Sequence, residues 1–389
     1  METMPLKFSE DQEALQAGVR ELCKRYPDAY WRDVDERREY PDAFVNDLTK
    51  AGYLAALIPQ EYGGAGLGIL DASLILEEIN RSGANSSACH AQMYIMGTLL
   101  RHGSDEQKRA YLPKIATGDL RLQSFGVTEP NTGSDTTKLQ TSAVRKGDRY
   151  VVNGQKIFIS RVQHSDLLLL LCRTTPVDKV KKRTEGLSVL LVDMRTAGPA
   201  LEVRPLKTMI NHETNQLFFE NLEVPIENLI GKEGEGFRYI LDGMNAERIL
   251  IAAESVGDGR WFIERAASYS KSRVVFDRPI GSNQGVQFPI ARAHMAVESG
   301  DLMRMKAAAL FDAGQPCGAE ANMAKFLCAE AAWQAANACM DCYGGYGFCQ
   351  EYDIERKFRE TRLFMTAPVA NNLVLAFVGQ HVLGMPRSY

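Results

Sequence analysis

Glu247 and Arg248 stand in NAERILIAA (residues 245–253), inside GFRYILDGMNAERILIAAESVG, a stretch whose spacing predicts one long, mostly apolar helix. Positions i, i+3 and i+4 share a helix face, so Glu247 lies with Gly243, Met244, Leu250 and Ile251, a surface suited to a core. A carboxylate placed there is paired, neutral or at work as a base, and an ion pair across a helix interface is the plainest of the three. A second passage, SFGVTEPNTGSD (124–135), sets Gly, Thr, Ser and Asn where a strand runs into a loop. Such residues offer N–H groups and hydroxyls to a phosphate- or flavin-bearing ligand, or make an ordinary polar turn. KIFIS (156–160), RVVFDRPIGSNQ (273–284) and DCYGGYGF (341–348) follow in that order.

The elements that position these residues fall into three blocks. Residues 1–120 read as helices: Ser9 with Gln12 and Ser104 with Gln107 form capping boxes, and Leu15, Val19 and Leu22 mark one face of the first helix. Residues 121–234 alternate with period two, and Lys146-Gly147-Asp148 and Asn153-Gly154 both carry turn signals, the second a two-residue hairpin signature. Connections too short for crossover helices predict an antiparallel barrel or sandwich. Residues 235–389 return to helices, with segments near 236–270, 284–313, 318–343 and 351–382 long enough for a four-helix bundle. The fold class is therefore α+β and multidomain.

Composition narrows the function. With 389 residues, 45% hydrophobic and 24% charged, the chain has the balance of a globular protein of more than one domain. A net charge of −4 with no basic tail argues against nucleic acid as the main partner. METMPLKFSEDQ lacks a positive segment followed by an apolar one, and the longest apolar run, Leu167–Cys172, is too short to span a bilayer, so a cytoplasmic protein is expected. The scattered cysteines suit reduced thiols. Cys339 and Cys342 form a CxxC without a second pair or a His, so small core residues are expected there and no metal.

Taken together, SFGVTEPNTGSD, KIFIS, RVVFDRPIGSNQ and DCYGGYGF resemble, in order and spacing, the acyl-CoA dehydrogenases, flavoenzymes that oxidise acyl-CoA thioesters to enoyl-CoA. The resemblance runs from FSEDQEALQ to EYDIERKFRETRL. It implies a helical N-terminal domain, a β middle domain and a C-terminal helical bundle, FAD as cofactor, electron-transfer flavoprotein as electron acceptor, and a homo-oligomer, a tetramer or dimer. It further implies that Phe125, Val127 and Thr128 contact the flavin ring region, with Phe158 and Ser160 on its other side and Ser134 near the phosphates of FAD and CoA. Arg273, Phe276, Gln284, Asp341 and Gly345 would reach the FAD of a neighbouring subunit. From the residues alone, Phe158 is equally a core aromatic, Arg273 a solvated helix charge, and the glycines at 344–347 a tight helix junction.

Several residues depart from the family pattern. Asp277 stands where Gly is usual, Asp341 where Gln is usual, and Thr132 where a small residue is usual. Many relatives carry the catalytic base in a Tyr-Glu-Gly-Thr loop, and the ungapped register from ERKFRETRLFM puts Pro368 on that Glu. In isovaleryl- and long-chain acyl-CoA dehydrogenases the base comes from a bundle helix just before an Arg, the place Glu247 holds before Arg248. On that resemblance Glu247 takes the α-proton while the β-hydrogen passes as hydride to the flavin, and Met244 and Arg248 shape the substrate pocket with Ser134. Pro368 has no N–H for the thioester carbonyl, so a neighbour such as Val369 would supply it. A flavin monooxygenase or oxidase on the same scaffold, and a non-catalytic acyl-CoA-binding flavoprotein, remain open.

Overall fold

The computed structural model of the chain describes residues 8–387. Residues 1–7, on which the reading of the N-terminal segment partly rests, lie outside the described residues. Six helices come first: α1 (Glu10–Cys23), α2 (Asp28–Arg37), α3 (Asp42–Lys50), α4 (Ile69–Arg81), α5 (Ser87–His102) and α6 (Asp105–Thr117). Both capping boxes form. Ser9 and Ser104 each accept from the N–H three residues on, and Gln12 and Gln107 reach back to the cap N–H, satisfying donors that a helix start leaves open.

Strands β1 (Ser124–Gly126), β2 (Ser142–Lys146), β3 (Arg149–Ser160), β4 (Leu167–Arg173), β5 (Leu187–Asp193), β6 (Leu201–Pro205), β7 (Thr214–Pro225) and β8 (Leu229–Ile230) form one sheet. Its order is β6-β7-β3-β2-β4-β5-β8, with β1 beside β4. The expectation of a purely antiparallel sheet is corrected here: β1 runs parallel to β4, and β2 meets β4 in parallel at Ser142 and Arg173. A parallel pair needs a long crossover, and the β2–β3 hairpin supplies it in place of a helix. That hairpin turns at Gly147, where φ is +63°. Asn153-Gly154 does not turn. β3 runs through it with a slip of register against β7, and a Cβ on Gly154 would lie 2.7 Å from the Thr141 Cα, so the glycine serves a close backbone approach.

The remaining elements are α7 (Gly236–Ser272), the two-residue strands β9 (Val274–Val275) and β10 (Arg278–Pro279), α8 (Gln284–Asp312), α9 (Gly318–Tyr343), α10 (Ile354–Arg362) and α11 (Asn371–Phe377). The segment expected as a fourth long helix, 351–382, is broken between α10 and α11. Pro368 carries no N–H and disfavours helical geometry at Ala367, so the helix cannot run through. No described helix is long and apolar enough to cross a membrane.

Contacts divide the chain into two compact units, and they group the early helices differently from their order in sequence. One unit, here the helical unit, joins α1, α2 and α4 with the chain from Asn245 onward. The other, the sheet unit, joins α3, α5, α6 and the strands as far as Met244. In the sheet unit β4 explains its own unbroken apolar run. Leu167, Leu169 and Leu171 face a core shared with Ile95, Leu99, Leu112 and Ile115 of α5 and α6, while Leu168, Leu170 and Cys172 face a second core with Val152, Leu217 and Phe219. Both faces are buried, so alternation is lost. In the helical unit, buried charges knit the helices: Arg304 of α8 pairs with Glu77 of α4 at 2.8 Å, and Lys357 of α10 with Asp258 of α7 at 2.6 Å.

Candidate functional site

In the sheet unit, β1 brings Phe125 edge-on to Tyr94 of α5 with ring centroids 5.7 Å apart, and Phe125, Val127 and Met244 lie against the apolar core. The loop beyond β1 is fastened from below. Lys156, fully buried, donates to the Val127 carbonyl and to Glu129 Oε1, both at 2.9 Å. Glu129 also accepts the main-chain N–H groups of Gln140 at 2.6 Å and Thr141 at 2.9 Å, and the Ile157 N–H donates to the Thr128 carbonyl at 2.9 Å. Burial pushes the Glu129 carboxyl up, but the Lys156 charge and these donors outweigh it and hold the group below its ordinary value. Residues 127–129 are thereby fixed along β3.

Two residues of KIFIS then face outward or sideways. Ile157 pairs with Gln216 and Ile159 with Asn215, so Phe158 is an unpaired, bulged residue. Its φ is +60° and it is 63% exposed, which excludes the core-aromatic reading. A bulge in the left-handed region re-aims a side chain, here off the sheet. The Ser160 hydroxyl accepts from Asn211 Nδ2 at 3.0 Å and lies 3.3 Å from the Thr214 hydroxyl. Ser134 is exposed. The Thr132 hydroxyl is buried and has no hydrogen-bond partner among the described residues, an expensive state that a polar ligand would relieve.

In the helical unit, Glu247 is 6% exposed on α7. Arg248 donates through Nη1 to Asn245 Oδ1 at 3.1 Å, its Nε has no partner among the described residues, and burial pushes its guanidinium down against the raising effect of the Glu247 charge. One turn on from Glu247, Ile251 packs with Ala329, Phe364 and Met365, the last two leading into Pro368. Beyond Pro368, Asn371 accepts from the buried Lys325 ammonium at 2.6 Å and donates to Glu330 at 2.9 Å. Burial, with Arg248's charge, pushes Lys325 from its ordinary 10.5 down to about 8. Between those two pH values the unfolded chain binds the proton and the folded chain does not, so this group adds stability as pH rises, up to about 3 kcal/mol. Urea midpoints at pH 7.5 and 9.5 should accordingly diverge between native protein and Lys325→Met, with native gaining relative to the variant. Parallel pH dependence would refute the assignment.

The segments assigned by resemblance to a neighbour's FAD are partly brought together. Arg273 lies over the Tyr346 ring, 5.7 Å from its centroid, which sets it beside Gly345 in the 344–348 turn. Phe276, 93% exposed, and Asp277 both have positive φ, +53° and +61°, and together form the two-residue turn between β9 and β10. Asp is among the few residues other than Gly that enter this region readily, so it can stand where the family has Gly. Gln284 and Asp341 are exposed at the start of α8 and the last turn of α9, and no described contact joins either to Arg273. Lys156, Glu129 and Asn211 were not among the residues expected from sequence. The signal for the first two was a charged residue in an apolar strand and another just past a strand end, and nothing in one chain pairs them. Among the described residues no group of three or more His, Cys, Asp or Glu side chains is placed to hold a metal ion.

Comparison with known proteins agrees with this arrangement. Residues 9–119 match the acyl-CoA dehydrogenase N-terminal domain, 124–222 the middle domain and 234–382 the C-terminal domain. The chain is 35% identical over 386 residues to the acyl-CoA dehydrogenase fadE12 of Mycobacterium bovis, covering 98% of each. Among solved structures it is similar to a glutaryl-coenzyme A dehydrogenase in complex with glutaryl-CoA, with a TM-score of 0.92, 30% identity and coverage of 99% and 98%. It is also similar to the prolyl acyl carrier protein oxidase AnaB, with a TM-score of 0.91, 25% identity and coverage of 97% and 100%. A helical start, a mixed sheet and a helical end, matched along nearly the whole length, establish that the chain belongs to the acyl-CoA dehydrogenase family, oxidoreductases that act on acyl-CoA.

Proposed function

We propose that this protein is an FAD-dependent dehydrogenase that desaturates an acyl-CoA thioester between its α and β carbons, with Glu247 as the base. The observation that carries the reading is a buried carboxylate on an apolar helix face, in a chain whose position for the family's usual base holds Pro368. The residues fit a flavin: the fixed 127–129 main chain, the outward Phe158 ring, Phe125, Ser160 and the unpartnered Thr132 hydroxyl suit a planar group with polar edges. Arg273, Phe276, Gln284, Asp341 and Gly345 would hold the FAD of a neighbouring copy in a homotetramer or dimer. When bound, the flavin supplies the acceptor for the β-hydrogen, taken as hydride.

The chain's own groups do the rest. Glu247 takes the α-proton, and its place on α7 fixes where that proton is received. The proton becomes acidic enough only when the thioester carbonyl is polarised. Pro368 cannot do this, and the Val369 N–H, which makes no hydrogen bond among the described residues, takes the role. Met244, Arg248 and Ser134 shape the substrate site. Electrons leave to electron-transfer flavoprotein, and the protein works in the cytoplasm.

Anaerobic titration of the yellow protein with a panel of acyl-CoA thioesters tests this reading. Flavin absorbance should fall with at least one thioester and return slowly in air. Fast return in air would move the reading to an oxidase or monooxygenase, which the missing N–H at Pro368 favours as the second choice. Tight acyl-CoA binding with no bleaching would leave an acyl-CoA-binding flavoprotein.

A further inference from the structure

Lys325 of α9 is fully buried, and among the described residues no carboxylate lies within ion-pair distance of it. Its ammonium donates to one neutral group, Asn371 Oδ1, at 2.6 Å. Glu330 supports the charge only from longer range, and Arg248 opposes it. Burying an ammonium on so little support costs stability, and an apolar side chain of the same size would fill the place at lower cost. The lysine's use lies in what it holds.

Asn371, the first residue of α11, is itself buried, and with its oxygen turned to Lys325 its Nδ2 donates to Glu330 Oε1 at 2.9 Å and to Met365 Sδ at 3.5 Å. One amide thus joins α9 to the residues on either side of segment 366–370. At the start of that segment Thr366 and Ala367 donate their N–H groups to the Leu363 carbonyl at 2.9 Å. Further on, neither the Val369 nor the Ala370 N–H makes a hydrogen bond among the described residues. Met365 in turn packs with Phe364, Ala329 and Ile251, and Ile251 stands one turn on from Glu247 along α7. The ammonium decides which way the amide faces. An amide whose oxygen has lost its donor is free to turn Nδ2 away from Glu330 and Met365.

We propose that Lys325 is a positioning residue for the desaturation: through Asn371 it sets the main chain at 368–370 so that the Val369 N–H meets the thioester carbonyl. The inference rests on the acyl-CoA reading above, in which that N–H polarises the carbonyl. A donor of this kind works only when it is held in place before the charge develops, and here two buried side chains hold it where main-chain hydrogen bonds do not.

Infrared difference spectroscopy of the flavin-loaded protein tests the proposal without turnover. The probe is the enoyl-CoA formed from a thioester that bleaches the native flavin, labelled with ¹³C at the carbonyl. Bound to native protein, its carbonyl stretch should lie below that of the free ligand. In Lys325→Met and in Asn371→Leu it should return toward the free value, and bleaching by the parent thioester should slow by roughly 10- to 100-fold, the effect of a misplaced group, with little change in its dissociation constant. The double variant should lose no more than either single one, because the lysine acts through the amide. A lysine that serves the fold alone would move the urea midpoint and leave the carbonyl stretch where it is. An unmoved stretch in Lys325→Met, or in Asn371→Leu should the first variant not fold, overturns the proposal, as do losses that multiply in the double variant. A native protein that bleaches while its bound carbonyl matches the free ligand overturns it too and leaves the dehydrogenase reading standing. Failure of every thioester to bleach native flavin overturns that reading and this proposal with it.

Discussion

Glu247→Gln is expected to bind an acyl-CoA thioester nearly as well as native protein and to bleach the flavin about 10²- to 10⁴-fold more slowly, the span of a lost general base. This corresponds to about 3–5 kcal/mol of barrier. Gln keeps the size and planarity of the side chain and can still donate and accept hydrogen bonds, so the buried face of α7 changes little in shape. It cannot take a proton. An interaction made only as the α-proton moves is lost while ground-state binding is kept, which predicts a fall in the rate of the first half-reaction and little change in the dissociation constant. Glu247→Asp, which shortens the reach by one methylene, should fall between the two. Stopped-flow bleaching of all three proteins with one saturating thioester decides the matter. If Gln bleaches at the native rate, Glu247 is structural and its role lies in its pairing with surrounding groups, Arg248 among them.

Sequence and structure agree where period and length decide, and part company where a single local signal competes with packing. Capping residues and the switch from period 3.6 to period two placed the helical and stranded blocks, because burial on one face leaves a trace every few residues. Asn153-Gly154 misled because the same glycine freedom serves a turn and a close approach to Thr141, and only the neighbour distinguishes them. The 351–382 segment misled because Pro368 was weighed for its missing N–H at a catalytic loop and not for its effect on a helix. Glu247 was legible as an acid on an apolar face. Phe158 was not legible as an exposed residue, since its direction follows from a bulge against β7, more than fifty positions away.

Lys156→Met should destabilise the protein by about 3–5 kcal/mol at pH 7 and weaken flavin retention. The lysine is fully buried, and removing its ammonium takes from Glu129 its ion-pair partner and leaves its charge to the Gln140 and Thr141 N–H groups and the Arg173 charge. It also frees the Val127 carbonyl, so the chain that lines the proposed flavin site loses its anchor. The pH dependence identifies the cause. In native protein Glu129 is held below its ordinary value, so its contribution is complete above about pH 5 and is lost as pH falls through the lower folded value. Without Lys156 burial prevails and the carboxyl rises. The folded variant then binds a proton that the unfolded chain releases, and the variant loses stability as pH climbs from 5 to 7. The gap in urea midpoint between native and variant should therefore narrow on acidification to pH 5, and a constant gap would place the loss in packing instead. Lys156→Met with Glu129→Leu removes the stranded charge and should recover much of the stability, since an apolar pair can replace a buried ion pair. It should not recover flavin retention, because neither Met nor Leu can hold the Val127 carbonyl or the N–H groups of Gln140 and Thr141. Recovery of both would mean that the pair sustains the fold and leaves the loop to position itself.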